Sequence, residues 1–196
     1  MPGHDGELDV AGAVLPEQHG TVQSRVTLSE MRGINDFDPD LSVEQHIAER
    51  LATVTLMPWA PKAKVRDILA RMDEAVDVAL RAGGAPGGAM PTFIDPSMQI
   101  QDLTRLQRKI LGVVLASLGD PALIVVDDAD DLRTHGDRAG FWAVLGRLAR
   151  SDGHPAILAA CQDRVDPNAI ARTAGLDDDD VVVVELPVPS NLKVMS

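Results

Sequence analysis

The chain has 196 residues, 45% of them hydrophobic but only 3% aromatic, which predicts a single domain with an aliphatic core. The net charge of −12 at pH 7 argues against nucleic acid as a partner, because binding phosphates requires a basic surface. The single cysteine, Cys161, excludes a disulfide within the chain, and no apolar run approaches the roughly 20 residues of a transmembrane helix, so direct membrane insertion is not expected.

The first elements along the chain are predicted to be short strands. Residues 7–14 alternate weakly between apolar and polar and contain Gly12, which indicates a short strand or one arm of a hairpin. The alternation is cleaner over residues 22–28, where apolar side chains share one face. This pattern predicts a half-buried strand.

Two helices are predicted next. Ser42 is placed to cap the first one, and Gln45, three residues later, completes a capping box. That helix ends before Pro58, which cannot continue it. A second apolar stripe with helical spacing runs over Lys62–Arg81. Together the two helices define a predicted helical subdomain, residues 43–82.

The second half of the chain alternates helices and strands, which predicts an α/β fold with a parallel sheet. The strand that ends at Val126 is a continuous apolar run, typical of a strand buried on both faces. The predicted elements are a helix over Leu103–Leu118, a strand over Ala122–Val126, a helix over Arg138–Arg150, a strand over Ala156–Ala160, a short helix after Pro167 and a strand over Val181–Leu186.

The segments around the third helix carry the most specific motifs. The helix is followed by Pro121 and by an apolar strand that ends in Asp127 and Asp128. The residues at its start are Leu103, Thr104, Arg105, Leu106 and Gln107. In order and spacing, these segments resemble the LSGGQ signature, the helix and the Walker B strand of ABC-transporter nucleotide-binding domains.

The resemblance implies a P-loop NTPase-like fold of the α/β class. It predicts a parallel sheet with flanking helices, a small N-terminal antiparallel segment and the helical subdomain. Residues 1–196 would form one ABC-ATPase-like domain, in which 102–186 supply the signature helix, Walker B and the C-terminal α/β part. The Walker A strand, loop and helix are not recognisable, because no G-x-x-x-x-G-K-[ST] segment occurs in the sequence.

The signature resemblance implies nucleotide contacts at the start of the third helix. Leu103, Thr104 and Gln107 keep the family pattern, whereas Arg105 and Leu106 replace its two glycines. Side chains at these two positions would crowd a phosphate, although Arg105 could reach a phosphate itself. The alternative is an amphipathic helix with a solvated arginine.

The other site positions also follow from the resemblance. Asp127 matches the magnesium-associated aspartate, and Asp128 takes the place of the glutamate that orients or deprotonates the attacking water. Gln162 falls at the switch histidine, and Glu30, with Ser29 as the alternative, falls at the family's glutamine. Without the resemblance, Asp127 and Asp128 are part of an acidic loop that caps the next turn.

The resemblance further implies ATP and Mg²⁺ as ligands and a membrane-embedded transporter subunit as a partner, docked through residues 43–82. It implies a homo- or heterodimer with another ATP-binding subunit and a cytoplasmic location, at the inner face of the membrane through that partner. We expect negligible ATP hydrolysis from this chain alone, because the Walker A segment is missing and the other site positions are altered.

Two questions stay open at the level of sequence. Met1–Gly6 resembles the turn after the Walker A helix, which favours a missing upstream segment. The alternative is a pseudo-ATPase that keeps the fold as an interaction module. The Walker B-like strand also resembles that of AAA or STAND regulatory ATPases, and a protein that binds no nucleotide is a third reading.

Overall fold

The computed structural model describes residues 8–56, 59–83 and 93–186, and Met1–Gly6 lies outside them. These described residues form strands and α-helices, together with 3-10 helices at Ile100–Asp102 and Asp178–Asp180. In chain order the main elements are β1 (Leu8–Val10), β2 (Ala13–Leu15), α1 (His19–Arg25), β3 (Val26–Leu28), α2 (Val43–Thr55), α3 (Lys62–Gly83), α4 (Arg105–Ala116), β4 (Leu123–Val126), α5 (His135–Ala149), β5 (Ala156–Ala159) and α6 (Pro167–Ala174).

The first two strands form an antiparallel hairpin. The segment predicted as one strand or one arm of a hairpin over residues 7–14 therefore contains the turn and belongs to both arms. Ala11 and Gly12 connect the strands, and both have positive φ, 53° and 77°. Two such residues are typical of tight hairpin turns, whose twist matches that of the strands. The backbone N–H of Gly12 donates to the carboxylate of Asp9 at 2.9 Å, which closes the turn.

A parallel sheet with the order β3-β4-β5 lies at the centre of the fold. Thr27, Ile124 and Ile157 lie side by side across its strands. The hydroxyl of Thr27 donates to the carbonyl of Ala116 at the end of α4 at 2.8 Å, so this row faces the helices. Ile124 and Val126 are almost completely buried on the same side. The hydrophobic core therefore lies between this helix-facing side and the helices.

The helices α2 and α3 confirm the two predicted helices. The backbone N–H of Gln45 donates to the Ser42 hydroxyl at 3.2 Å, and the Ser42 N–H donates to the Gln45 side-chain oxygen at 2.7 Å. This is the predicted capping box. The helix α3 packs mainly against α5, and a Cβ added at Gly140 would lie 2.6 Å from the carbonyl oxygen of Ala79. The backbones of α3 and α5 therefore approach closely at that point.

The C-terminal helices also confirm their predictions. The helix α5 extends the predicted Arg138–Arg150 segment by one turn at its start, because Thr134 caps it by accepting from the Asp137 N–H at 3.0 Å. Pro167 lies in the first turn of α6. Backbone N–H groups in a first turn have no carbonyl partner within the helix, so the N–H that proline lacks is not needed there. The largest fully buried side chains of the core are Phe141, Ile47, Met72, Ile100, Ile110, Leu111 and Ile124.

The strand predicted over residues 22–28 is wrong in its first half. His19–Arg25 is a helix with no buried residue, and only Val26–Leu28 is a strand. The reason is the length of the neighbouring strand. Val26 pairs with Leu123, the first residue of β4. The Arg25 carbonyl still accepts from the Ala122 N–H at 2.8 Å. Residues 22–24 have no partner across the sheet among the described residues, and they form local helical hydrogen bonds instead.

The strand predicted over Val181–Leu186 is also wrong. The segment leaves the last 3-10 helix in an extended conformation, with φ −114° and ψ 114° at Val181. It pairs with no strand in the described part of the chain. Its side chains are mostly exposed, for example 82% at Val182 and 75% at Val184. The valine run has strand propensity, but a strand forms only where a neighbour accepts its hydrogen bonds.

The expectation that the Ala122–Val126 strand is buried on both faces holds for one face only. Ile124 and Val126 are buried, whereas Leu123 and Val125, which point the other way, are half-buried. The sequence is apolar on both faces, but among the described residues the helices cover just one of them.

Candidate functional site

The start of α4 is built by a capping box. The backbone N–H of Gln107 donates to the Thr104 hydroxyl at 3.2 Å, and the Thr104 N–H donates to the Gln107 side-chain oxygen at 3.0 Å. Leu103 precedes the cap and is buried. The helix thus begins at Arg105, two residues later than predicted, because Thr104 takes the cap position.

The four predicted nucleotide-contact positions at this helix start differ in accessibility. Thr104 and Arg105 are exposed, whereas Gln107 is only 2% exposed and Leu103 is buried. The side-chain nitrogen of Gln107 is buried and has no hydrogen-bond partner among the described residues. Leu106, at the second glycine position of the signature, packs into the core. Only Thr104 and Arg105 therefore present side chains at the surface.

Arg105 forms an ion pair within the chain. Its guanidinium donates to the carboxylate of Asp131 at 2.7 Å, with both side chains about half exposed. The pair links the start of α4 to the acidic loop after β4. A phosphate contact by Arg105 stays a prediction, and it would have to compete with this pair.

The carboxyl end of β4 carries the two predicted aspartates. Asp127 and Asp128 are both half-buried, and Asp128 adopts a positive φ of 44°. A positive φ is uncommon outside glycine, although aspartate tolerates it better than most residues. The Asp127 carboxylate makes no hydrogen bond or ion pair with any described residue. Both aspartates thus lie at the edge where ligands collect in open α/β sheets.

Gln162, which follows β5, contacts Asp128. Its side-chain nitrogen donates to the Asp128 carboxylate at 2.9 Å, and the Gln162 side chain is exposed. The backbone N–H groups of Gln162 and Asp163 donate to the carboxylate of Asp130 at 3.0 and 2.7 Å. Asp130 therefore fixes the turn after β5 against the turn after β4.

Asp130 is ionised in a mostly buried position, where it is 7% exposed. Burial alone would raise the pKa of Asp130, but the N–H groups of Asp163 and Gln162, with a contribution from Arg138, outweigh it. The pKa of Asp130 is consequently lowered from its usual value.

Glu30 is held by Arg108 on α4. The Arg108 guanidinium donates to the Glu30 carboxylate at 2.6 Å through Nε and forms a second, shorter bond through Nη2. Ser29, the alternative to Glu30, is buried, and its backbone N–H extends the β3–β4 ladder by donating to Val125. The Glu30 side chain thus contacts α4, the helix that also carries Lys109.

Lys109 lies at the centre of these acidic groups. Its ammonium donates to the carbonyl of Asp128 at 2.6 Å and to that of Asp127 at 3.3 Å. Burial lowers the pKa of Lys109, although the charges of Asp131, Asp128, Glu30 and Asp127 act in the opposite direction. The ammonium group of Lys109 thus already lies near these carboxylates.

Comparison with known proteins identifies the fold. No family model matches the sequence, and no curated protein matches it. Solved structures do match. A dimeric post-hydrolysis state of the ATP-binding cassette MJ0796 bound to ADP and Pi aligns with TM-score 0.55 and 12% identity, over 86% of this chain and 66% of that chain. The chain has the fold of an ABC ATP-binding domain.

A second ABC structure supports the same conclusion. CbiO1 from Clostridium perfringens, part of the ABC transporter complex CbiONQ, aligns with TM-score 0.51 and 14% identity, over 81% of this chain and 59% of that chain. This ABC-like domain therefore spans less than two thirds of the length of either structure. The fold prediction is confirmed, and the site roles stay predictions.

The residues of the ABC-like domain fit the metal-binding part of a Mg²⁺–nucleotide site better than the phosphate-binding part. The free Asp127 carboxylate suits Mg²⁺, which commonly binds one or two carboxylates together with phosphates and water. However, no group of three or more His, Cys, Asp or Glu residues in the described ranges could hold a metal ion unaided. Among the same residues, no helix has the length and apolar character needed to cross a bilayer.

Sequence reasoning gave no role to Lys109, Arg108 or Asp130. One signal could have indicated Lys109, since it lies four residues after Arg105 and so on the same helix face. The pairing of Arg108 with Glu30, across 78 positions of sequence, had no local signal.

Proposed function

We propose that the chain is an ABC-type ATP-binding homologue that works in a nucleotide-dependent assembly and hydrolyses ATP negligibly by itself. The observation that carries this proposal is the arrangement at the carboxyl end of the sheet. Asp127 has a free carboxylate at the end of β4, and Gln162 from the end of β5 holds the neighbouring Asp128 at 2.9 Å. Two loops of an ABC-type fold thus meet at one candidate site.

In this proposal each residue has a separate task. Asp127 would hold Mg²⁺, whose charge offsets that of the nucleotide phosphates. Asp128 would orient the attacking water, and Gln162 would keep the Asp128 carboxylate in place while donating toward a phosphate. Glutamine cannot take up a proton, so Gln162 acts only by positioning.

Several features support slow hydrolysis. Asp128 is one methylene shorter than the glutamate of the family, and a displacement of roughly 1 Å at a reacting group can cost about 100-fold in rate. Arg105 and Leu106 bring side chains where the family has glycines, and Arg105 is already paired with Asp131. No G-x-x-x-x-G-K-[ST] segment is present to hold the phosphates.

We further propose that residues 43–82 act as the helical subdomain and contact a membrane-embedded transporter subunit from the cytoplasmic side, and that residues 102–186 face a second ATP-binding subunit. The related structures are a dimeric cassette and a member of a transporter complex, which favours this arrangement. The unit 1–196 would then work as one domain.

Nucleotide binding and hydrolysis by the 196-residue chain test the proposal together. For a Kd of about 1 mM, MgATP at about 10 mM adds about 1.4 kcal/mol of stability, which raises Tm by about 4 °C. We expect this shift in the wild-type chain and its loss in Asp127→Asn. The matched control Asp163→Asn should keep it, since the Asp163 carboxylate pairs with Arg138 and makes no hydrogen bond to Asp127, Asp128 or Gln162.

Phosphate release is measured in the same samples. We expect rates equal to the buffer background for the wild-type chain and both variants. A rate clearly above background that Asp127→Asn abolishes and Asp163→Asn preserves would contradict negligible hydrolysis. No thermal shift with MgATP would instead favour an interaction module that binds no nucleotide, with Lys109 as its internal cation.

A further inference from the structure

The connection between α2 and α3 presents two large apolar side chains at the surface. Leu56, which ends α2, is 92% exposed, the highest value among the large hydrophobic residues of the described ranges, and Trp59 is 67% exposed. Single apolar residues on a surface are common and require no explanation. Here, however, two of them lie three positions apart in the short segment between two helices.

The end of α2 does not explain the leucine at position 56. Leu56 has a left-handed backbone with φ 52° and ψ 29°. Glycine is usual at such a helix end, because it has no Cβ to strain the turn. Leucine has this conformational cost, and its side chain is not buried to offset it.

A cluster of cations follows at the start of α3. Lys62, Lys64 and Arg66 are exposed, and the ion pairs in the described part of the chain involve other residues. Residues 56–66 contain no aspartate or glutamate, although the chain has a net charge of −12. The first turn of α3 has no acidic residue either. Positive charge at that end of a helix opposes the helix dipole, so helix stability does not explain these cations.

The acidic groups near the cluster lie in a groove on one side of α3. Lys64 and Arg71 line this groove together with Asp67 and Asp120. Two cations and two carboxylates balance there, which argues against the groove as an anion site. Lys62 and Arg66 are absent from its lining. They are four residues apart, so they share one face of the helix, and this face has the excess positive charge.

The surroundings of the connection favour an anionic lipid bilayer as the partner. Tryptophan prefers the headgroup level of a membrane because its ring is amphipathic, and lysine and arginine are attracted to anionic lipids. The long stems of Lys62 and Arg66 allow their charged ends to stay at the phosphates while Trp59 lies deeper. The apolar residues precede the cations along the chain, which matches the order of acyl chains and phosphates across half a bilayer.

The net charge of the chain does not prevent this contact. After Asp67, the next acidic residue of α3 is Asp73, eleven positions beyond Lys62 and roughly 16 Å along the helix. At physiological ionic strength, charges separated by more than about 8 Å are largely screened from each other. A surface held against the connection therefore responds mainly to the local positive charge.

We propose that Leu56, Trp59, Lys62 and Arg66 form a contact for an anionic lipid surface. The two apolar side chains enter the headgroup region, and the two cations lie at the level of the phosphates, with Lys64 beside them. This contact is interfacial and needs no membrane-spanning segment. It is independent of the proposed nucleotide site, and it adds direct lipid binding to the partner contact proposed for residues 43–82.

The experiment measures partitioning of the 196-residue chain onto vesicles by co-sedimentation. The vesicles contain phosphatidylcholine and phosphatidylserine at about 2:1, and vesicles of phosphatidylcholine alone are the control. We expect a partition coefficient on the order of 10⁴ M⁻¹ on the anionic vesicles, with half of the protein bound at about 0.1 mM accessible lipid. We expect no binding to the neutral vesicles at that concentration.

Fluorescence shows whether Trp59 enters the bilayer. The chain has two tryptophans, so the variant Trp142→Phe leaves Trp59 as the only one. Lipids with brominated acyl chains should quench its emission when the anionic vesicles are added. The variant should co-sediment with these vesicles as the wild-type chain does.

Two matched pairs of variants locate the contact. Trp59→Ala should weaken partitioning at least about tenfold. Phe93→Ala, which changes an aromatic residue of similar exposure, 61%, should leave it unchanged, because the next residue bonds to Asp73, far along α3 from the connection. Arg66→Gln should weaken partitioning about fivefold, whereas Arg172→Gln, at an exposed position of α6, should have no effect.

Three results would overturn the inference. They are the absence of partitioning up to about 5 mM anionic lipid, equal losses in the two members of either pair, and binding without quenching of Trp59. An absence of partitioning would favour an acidic protein segment as the partner instead. All measurements are made without nucleotide. If the chain partitions as expected but shows no thermal shift with MgATP, the lipid contact stands and the proposed function fails.

Discussion

The two faces of the parallel sheet differ although their sequences are similar. On the helix-facing side, Ile124 and Val126 are excluded from solvent. On the other side, the open face of the sheet, Leu123 and Val125 of the same strand are only half-buried. A strand with apolar residues on both faces is typical of burial on both sides. Among the described residues, however, helices cover only one face of β4.

The largest difference is expected between adjacent residues of β4. Ile124→Ala removes a fully buried side chain and should lower the free energy of unfolding by about 3 kcal/mol, because it leaves a cavity in the core. Leu123→Ala, its neighbour on the open face, should cost about 1 kcal/mol. Urea unfolding measures both variants. Equal losses would mean that the two faces are equally covered in solution.

The packing of α5 on α6 provides a second test, because the two helices approach closely at Gly146. Gly146→Ala places a Cβ 2.3 Å from the Ala174 carbonyl oxygen and should cost about 2 kcal/mol through overpacking. Gly20→Ala, in a helix with nothing within 4 Å of the added Cβ, is the control. It should be neutral or stabilise by about 0.5 kcal/mol. If Gly146→Ala is tolerated equally well, the close approach of α6 is wrong.

Asp130, in the turn after β4, accepts hydrogen bonds from the turn after β5 at the carboxyl end of the sheet. Asp130→Asn should cost about 2 kcal/mol at pH 7, since a charged acceptor of two N–H groups is lost. The pKa of Asp130 is lowered in the folded state, so its stabilisation is complete above the ordinary aspartate value of about 3.9 and is lost as pH falls below that value.

The stability gap between wild type and Asp130→Asn should therefore narrow between about pH 5 and pH 3. The control Asp163→Asn, whose carboxylate is 66% exposed, should cost less than about 1 kcal/mol. Thermal unfolding across this pH range measures both. A gap that stays constant or widens on acidification would contradict the role of Asp130 as an ionised acceptor.

The smallest effect is expected for the Arg105–Asp131 pair at the surface of the site. Its side chains are 53% and 43% exposed, so a double-mutant cycle with Arg105→Gln and Asp131→Asn should give a coupling below about 1 kcal/mol, decreasing with salt. A larger, salt-independent coupling would show that Arg105 is committed to Asp131 and unavailable to a phosphate.

The sequence predicted best the features that are set locally. The predicted capping box of Ser42 with Gln45 involves neighbouring residues, and β4 is a short apolar run bounded by Pro121 and Asp127. The order of these segments indicated the ABC-like fold even though no family model matches the sequence.

The sequence failed where the outcome depends on a distant partner. Residues 22–25 alternate like a strand but lie beyond the start of β4, and Val181–Leu186 has strand propensity without a pairing strand among the described residues. The contacts of Arg108 with Glu30 and of Lys109 with the carbonyls of Asp127 and Asp128 join residues far apart in the chain. The helical spacing from Arg105 indicates the face on which Lys109 lies, but a single sequence does not indicate the distant partner of either side chain.

The most direct test of the account is amide hydrogen exchange in the free chain, resolved by NMR for β5. We predict slow exchange at Leu158, whose N–H faces β4. We predict fast exchange at Ile157 and Ala159, whose N–H groups face the outer edge of β5, the side away from β4. Val181–Leu186 should also exchange fast. Slow exchange at Ile157 and Ala159 in the monomeric chain would contradict the central claim that no described strand covers this edge of the sheet.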